Sequence, residues 1–393
     1  MIKNAIAKLI NQESPGRAET AATSARRMQA EHSPLPYFQS LEAFPIVFQS
    51  LENQGARMIK DAIAKLVSHE TLSRAEAAEA MTDIMSGDAT EAQIGAFIMG
   101  LRQTGETPEI IAGCAEVMRA NATPVKCDDP NAVDIVGTGG DGAHTFNIST
   151  TSTFVIAGAG VTVAKHGSYG VSSKSGAANV LEALGVNIQY TPQRMEECLN
   201  ELGIAFLFAP GLHPAMKHVV GPRRELGIWS IFNILGPLCN PAGVKNGVMG
   251  VFKPELVPIV SDACAQLDMN YQFIVHGNDG LDEFTTTTTT MVTEIRRGKV
   301  ESYEVQPTGL GLATAKPEDL IGGEPAENAE ITRALLNGEK GPKRDIVLLN
   351  AAFAIMAGGK ADSPKDALAL AAESIDSGAA LKKLEALAEM SKM

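Results

Sequence analysis

Two adjacent carboxylates, Asp282 and Glu283, stand in the segment Gly280-Leu281-Asp282-Glu283. At the C-terminal edge of a strand such a pair can hold a hard divalent cation through oxygen ligands, with phosphate oxygens and waters completing magnesium's octahedron. Alone it is more often solvated surface, so its weight depends on what shares the chain with it. Upstream, Asp134-Ile135-Val136-Gly137-Thr138-Gly139-Gly140-Asp141-Gly142 reads as a strand running into a glycine-rich turn, followed by Asn147-Ile148-Ser149-Thr150 and a helix from about Thr151. Glycines let backbone N–H groups approach a phosphate, and a helix N-terminus adds partial positive charge. The spacing is neither that of the dinucleotide GxGxxG nor that of GxxxxGKS/T, so the segment by itself is a polyphosphate cradle or a purely structural turn.

A second loop, Lys165-His166-Gly167-Ser168-Tyr169-Gly170-Val171-Ser172-Ser173-Lys174-Ser175-Gly176, follows an expected strand Val161 to Ala164. Strand C-termini are where α/β sheets place ligands. Its lysines, serines and glycines offer point charges, hydroxyl donors and bare amides, which suits an anion, although a solvated loop that turns on its glycines would look similar. Further on come His213-Pro214-Ala215-Met216-Lys217-His218, Arg223-Arg224-Glu225-Leu226-Gly227 and Ile231-Phe232-Asn233-Ile234-Leu235-Gly236-Pro237. Arginine clamps a carboxylate through its planar fork. Arg224 reads better as a surface helix residue, and His213 and His218 as cap or packing residues with no role assigned.

These residues need a scaffold, and two textures are visible. From Met58 to Ala122 apolar residues recur at three and four, as in Ile59, Ile63 and Leu66, and then Ile94, Phe97, Ile98 and Leu101. That periodicity predicts a helical domain of about four helices. Ser73 with Glu76 three residues on, and Thr107-Pro108, mark helix starts. After Pro124 short β-branched runs (Ala132 to Val136, Val161 to Ala164, Ala205 to Phe208, Gly247 to Phe252, Tyr271 to Val275) alternate with glycines and helical segments. The expected fold class is therefore α/β: a small helical N-terminal domain, 58–126, and a larger domain, 127–393, on a central, mostly parallel sheet. Thr285 to Ile295 and Val300 to Val305 read as a hairpin, the threonine run counting as strand because threonine favours extended backbone. The first residues, Met1 to Leu9, recur almost unchanged as Met58 to Leu66. Residues 1–57 thus read as an extension or partial duplication, or else as an extra surface helix.

With 393 residues, 45% of them hydrophobic, the chain can bury a sizeable core. A net charge of −13 repels nucleic-acid phosphates and anionic membranes, so any polyanion must sit in a locally basic pocket. Five cysteines without a CxxC pair suggest neither zinc nor a disulfide framework, and fit a reduced cytoplasmic setting. No apolar run reaches the roughly 18 residues of a membrane span.

Taken together the motifs closely resemble the anthranilate phosphoribosyltransferases, whose pattern runs from GTGGDG and NxST through KHG, SSKSG, HPAMKH, RRELG and NxLGPLxNP to a late Asp-Glu pair. The match extends from about Met58 to the C-terminus. The resemblance implies transfer of the phosphoribosyl group of phosphoribosyl pyrophosphate (PRPP) to the amine of anthranilate, in tryptophan biosynthesis. It implies that Gly137, Gly139, Gly140, Asp141, Thr145, Asn147, Ser149, Thr150, Lys165, Ser173 and Lys174 bind PRPP. Anthranilate would be lined by Gly137, His166, Ser168 and Arg223, with Arg223 facing its carboxylate. Two magnesium ions would rest on Ser149, Asp282 and Glu283, and the enzyme would be a homodimer. Ser168 departs from the pattern, standing where many members carry asparagine. The alternatives on the same fold are a pyrimidine nucleoside phosphorylase, which would use inorganic phosphate, and a nucleic-acid-binding relative, which the acidic balance opposes.

Overall fold

The computed structural model describes residues 57–170 and 174–393, so the N-terminal repeat lies outside the described residues but for Arg57. The chain opens with α1 (Arg57–Val67), α2 (Arg74–Ser86), α3 (Glu91–Thr104) and α4 (Pro108–Ala120). Their starts follow from side-chain capping. Ser73 accepts from the Glu76 N–H while Glu76 accepts from Ser73, and Thr90 and Gln93 repeat the exchange. At α4, Thr107 caps and Pro108 occupies the first turn. Each cap contributes about 1 kcal/mol.

Beyond the bundle lies a seven-stranded sheet: β1 (Val133–Gly137), β2 (Val163–Gly167), β3 (Ile204–Phe208), β4 (Asn246–Gly250), β5 (Tyr271–Gly277), β6 (Thr290–Arg296) and β7 (Lys299–Val305). Their spatial order is β3-β2-β1-β4-β5-β6-β7. The first five in chain order are parallel, and β6 and β7 close the far edge as an antiparallel hairpin. The expected α/β class, with its helical bundle and mostly parallel sheet, is what forms. One face is covered by α5 (Ile148–Gly158) and the helix Pro342–Ala357, with the other C-terminal helices packed around them. The other is covered by the helices Ile231–Leu238 and Leu256–Gln266, whose apolar side chains are continuous with the core of the bundle. The bundle is thereby fastened to the sheet through a shared core.

Two local expectations are corrected. The threonine run is not strand until Thr290. Asp279 accepts from the hydroxyls of Thr285 and Thr287, and Thr290 Oγ1 accepts from the Thr285 N–H at 3.0 Å. Side-chain hydroxyls here take up groups a ladder would use, so the segment turns. Strand β2 also starts later than expected and runs on to Gly167, so Lys165 and His166 are strand residues and point to opposite faces. Among the described residues, no helix is long and apolar enough to cross a membrane.

Candidate functional site

Strand order reverses beside β1: β2 and β3 lie on one side of it, β4 and β5 on the other. The crevice at the C-terminal ends of β1 and β4 is where open α/β sheets bind ligands. Gly137 and Gly250 end these strands and are register partners. Into the gap between them drops the turn after β5, bringing Asp282. A side chain on Gly250 would begin 1.6 Å from the Asp282 backbone oxygen, and one on Gly137 would begin 2.3 Å from Asp282 Oδ2. The acidic pair and the glycine turn, 143 residues apart, are thus in contact, and the Gly139 N–H donates to Asp282 Oδ2 at 2.6 Å. Gly139 and Gly140 have φ of +65° and +91°, left-handed values that favour glycine.

Three carboxyls interact there. Asp141 lies within hydrogen-bonding reach of Asp282, and Glu283 adjoins both. Burial first, then mutual repulsion, pushes the Asp282 and Glu283 carboxyls well above the ordinary carboxylate range, although both residues remain open to solvent on one side. The Ser149 backbone N–H, at the start of α5, bonds to Glu283. Behind them Lys165 is buried, donates to the Ile135 carbonyl at 2.6 Å, and lies between Asp134 and Glu283. Burial lowers the Lys165 ammonium and these carboxylates oppose it. Asp134 is pushed up to about 6 by burial; it accepts from the Asn240 amide at 2.8 Å and from the His166 N–H at 3.3 Å, tying β1, β2 and the Asn240 loop together.

His166 projects to the other face. Its Nδ1 lies 3.1 Å from the Gly236 carbonyl, which can only accept, so that nitrogen carries the hydrogen and Nε2 presents a lone pair. Burial, with His213 next to it, pushes His166 down to about 3, so the ring is neutral at pH 7. Nε2 is buried and unpartnered, and so is Nε2 of His213, whose ring lies 5.1 Å away. His213, unassigned from sequence, belongs to this site; only the meeting of the ends of β2 and β3 reveals it. Arg223 is partly buried, donates to Asn233 Oδ1 at 3.3 Å and lies over Phe232. Arg224 is exposed, as its surface reading requires.

The remaining expected residues are distributed unevenly. Asn147 spends its amide on protein: it donates to the Ser175 carbonyl at 3.0 Å and accepts from Ser175 and Asn328. It fastens the second loop to the start of α5, next to Ser149 and buried Thr150. Thr145 makes an isolated bridge with Ile321. Ser168 is half-buried, its carbonyl accepting from Ala178. Lys174 is exposed and faces Glu324 at 3.8 Å, and Ser173 lies outside the described residues.

Residues 129–381 match the family model described as the glycosyl transferase family a/b domain, and residues 60–122 match its helical bundle domain. An anthranilate phosphoribosyltransferase of Acetivibrio thermocellus is 53% identical over 332 residues, covering 84% of this chain and 96% of that protein. The chain belongs to the anthranilate phosphoribosyltransferase family. Among solved structures, the anthranilate phosphoribosyltransferase of Thermus thermophilus superposes with a TM-score of 0.81 at 42% identity, over 85% of this chain and 100% of that one. The Saccharomyces cerevisiae anthranilate phosphoribosyltransferase in complex with PRPP and Mg gives 0.78 at 30% identity, over 85% and 98%.

Whether this member of the anthranilate phosphoribosyltransferase family fits a divalent cation can be judged from its own carboxyls. Asp141, Asp282 and Glu283 crowd together with one buried lysine behind them, and a hard cation would relieve their repulsion. Among the described residues, no three His, Cys, Asp or Glu side chains converge closely enough to hold a cation unaided. Magnesium keeps waters and takes phosphate oxygens, so the carboxyls need supply only part of its shell.

Proposed function

We propose that this protein transfers the 5-phosphoribosyl group from PRPP to the amine of anthranilate, releasing pyrophosphate, in tryptophan biosynthesis. The observation that carries the reading is the contact between the glycine turn and Asp282 at the switch-point crevice, with the buried His166 ring and the Asn233-held Arg223 on neighbouring elements. Amides of Gly137 and Gly140, the start of α5 at Ser149 and Thr150, and Lys165 receive the phosphates, with Gly139, whose N–H is held by Asp282, shaping the turn; Asn147 and Thr145 position them.

Magnesium, two ions in this proposal, would rest on Ser149, Asp282 and Glu283 with Asp141 adjacent, and when bound would supply the counter-charge for the departing diphosphate. The chain's own residues do the rest. Rupture of the ribose C1–oxygen bond leaves positive charge on the sugar and negative charge on the leaving group, so fixed donors aimed at the diphosphate favour it. Anthranilate's amine is already neutral at pH 7, and positioning it against C1 is the main task, worth up to about 7–11 kcal/mol in favourable cases. The neutral His166 Nε2 can accept an amine N–H and orient its lone pair toward C1. Arg223, kept in place by Asn233 and Phe232, takes the carboxylate.

Arg223→Ala is expected to raise the anthranilate KM roughly tenfold or more, the loss of a charge-assisted bidentate bond, with the PRPP KM within about twofold. Steady-state kinetics with each substrate varied decides it; equal rises in both constants would remove Arg223 from the carboxylate site. The homodimer rests on family membership and on exposed apolar Val67 and Val220 beside the bundle.

A further inference from the structure

The chain contains a single tryptophan, and Trp229 sits where three parts of the molecule meet. It lies in the short link between the helix Lys217–Leu226, which carries Arg223, and the helix Ile231–Leu238, which carries Asn233. One edge of the indole touches the glycine turn: Cδ1 lies 3.4 Å from the point where a side chain on Gly140 would begin. Arg102, from α3, places its guanidinium 4.9 Å from the ring centroid. Phe252, just beyond β4, packs on the ring at 5.2 Å with the planes tilted by 53°.

Arg102 is itself fixed, donating to both carboxylate oxygens of Glu106 at 3.1 and 2.9 Å. The pair is largely desolvated, with 18% and 5% of the two side chains exposed. A desolvated cation over an indole face is worth about 2 kcal/mol. The ring is therefore anchored by the bundle and by the end of β4, and one edge meets the Gly139-Gly140 turn. The indole N–H is buried and makes no hydrogen bond. A buried donor left bare costs about 1–3 kcal/mol unless something arrives to accept from it.

We propose that Trp229 is a positioning residue for the sugar diphosphate: its indole, clasped by Arg102 and Phe252, braces the left-handed Gly139-Gly140 turn, and its spare N–H is taken up when the anion settles there. This rests on the reading above that the turn cradles the diphosphate. It makes the helical bundle part of the donor site, since Arg102 holds the brace.

Two measurements test it. Trp229→Leu is expected to raise the PRPP KM roughly tenfold, the scale of a displaced binding turn, while the anthranilate KM stays within about twofold. Trp229→Phe, which keeps a ring but loses the donor, falls between. Circular dichroism checks that the variants fold. In the unsubstituted protein the lone tryptophan's emission is expected to shift on titration with magnesium and PRPP, and this reading requires no variant to fold. A folded leucine variant with its PRPP KM within twofold of the parent, or an emission spectrum unmoved by saturating donor, overturns the proposal. A protein that makes no product with anthranilate, yet shifts its emission with PRPP, sinks the acceptor assignment and supports the role of Trp229.

Discussion

Replacing Asp282 with Asn and Glu283 with Gln together is expected to lower kcat by roughly 10³-fold, the scale of losing one strong preorganised charge contact at the transition state. The fold should survive. An asparagine oxygen can still accept from the Gly139 N–H, and the carboxyls being neutralised are ones that burial and mutual repulsion hold above their ordinary range. Removing that repulsion makes the metal-free variant no less stable than the parent. Thermal melts in EDTA should therefore show an equal or higher Tm alongside the lost turnover. Magnesium should raise the parent's Tm and leave the variant's nearly unmoved, because a ligand stabilises only the state it binds. Near-normal magnesium-dependent turnover in the double variant would contradict the role assigned to the pair.

Gly250→Ala is expected to be nearly as damaging by a different route. The added methyl would begin 1.6 Å from the Asp282 backbone oxygen, and backbone cannot swing aside as a flexible side chain can. Either β4 or the 281–283 turn must move, separating the carboxylates from the glycine turn. A misplacement of about 1 Å at a reacting centre can cost about 10²-fold, which is the loss in kcat/KM expected here. Stability should fall by several kcal/mol, in the range of severe core clashes. A methyl added at Gly309 would meet nothing within 4 Å, and the backbone there is one any residue can adopt, so Gly309→Ala serves as the control and should behave as the parent. Unchanged kinetics in Gly250→Ala would mean that the close approach of Asp282 to the sheet is not needed for activity.

The parts of this site that were legible in the sequence are those in which local chemistry and spacing coincide. Capping pairs such as Ser73 with Glu76 announce helices, because the hydrogen bonds that start a helix are local. The glycine turn and the Asp-Glu pair announce an anion and a cation site separately; that Gly139 and Asp282 touch depends on strand order, which no local pattern encodes. The threonine run misled because intrinsic strand preference was outweighed by Asp279, whose carboxylate collects two of its hydroxyls. His213 and Trp229 escaped for a related reason. A histidine beside a proline and a lone tryptophan carry no spacing signal, and their meaning comes from neighbours: His166 for the one, Arg102 and Gly140 for the other. Asn147 illustrates the opposite case. It sits in a recognisable motif, yet its amide is spent on Ser175 and on Asn328, 181 residues away, so its contribution is to hold the loop rather than to offer a free donor.

The most direct measurement mixes the purified protein with magnesium, PRPP and anthranilate and follows anthranilate's own fluorescence. The signal is expected to decay with time and enzyme concentration, omitting PRPP or adding excess EDTA is expected to stop it, and pyrophosphate is expected to be released in equal amount. A fluorescence trace that stays flat with every component present, from folded protein, would contradict it.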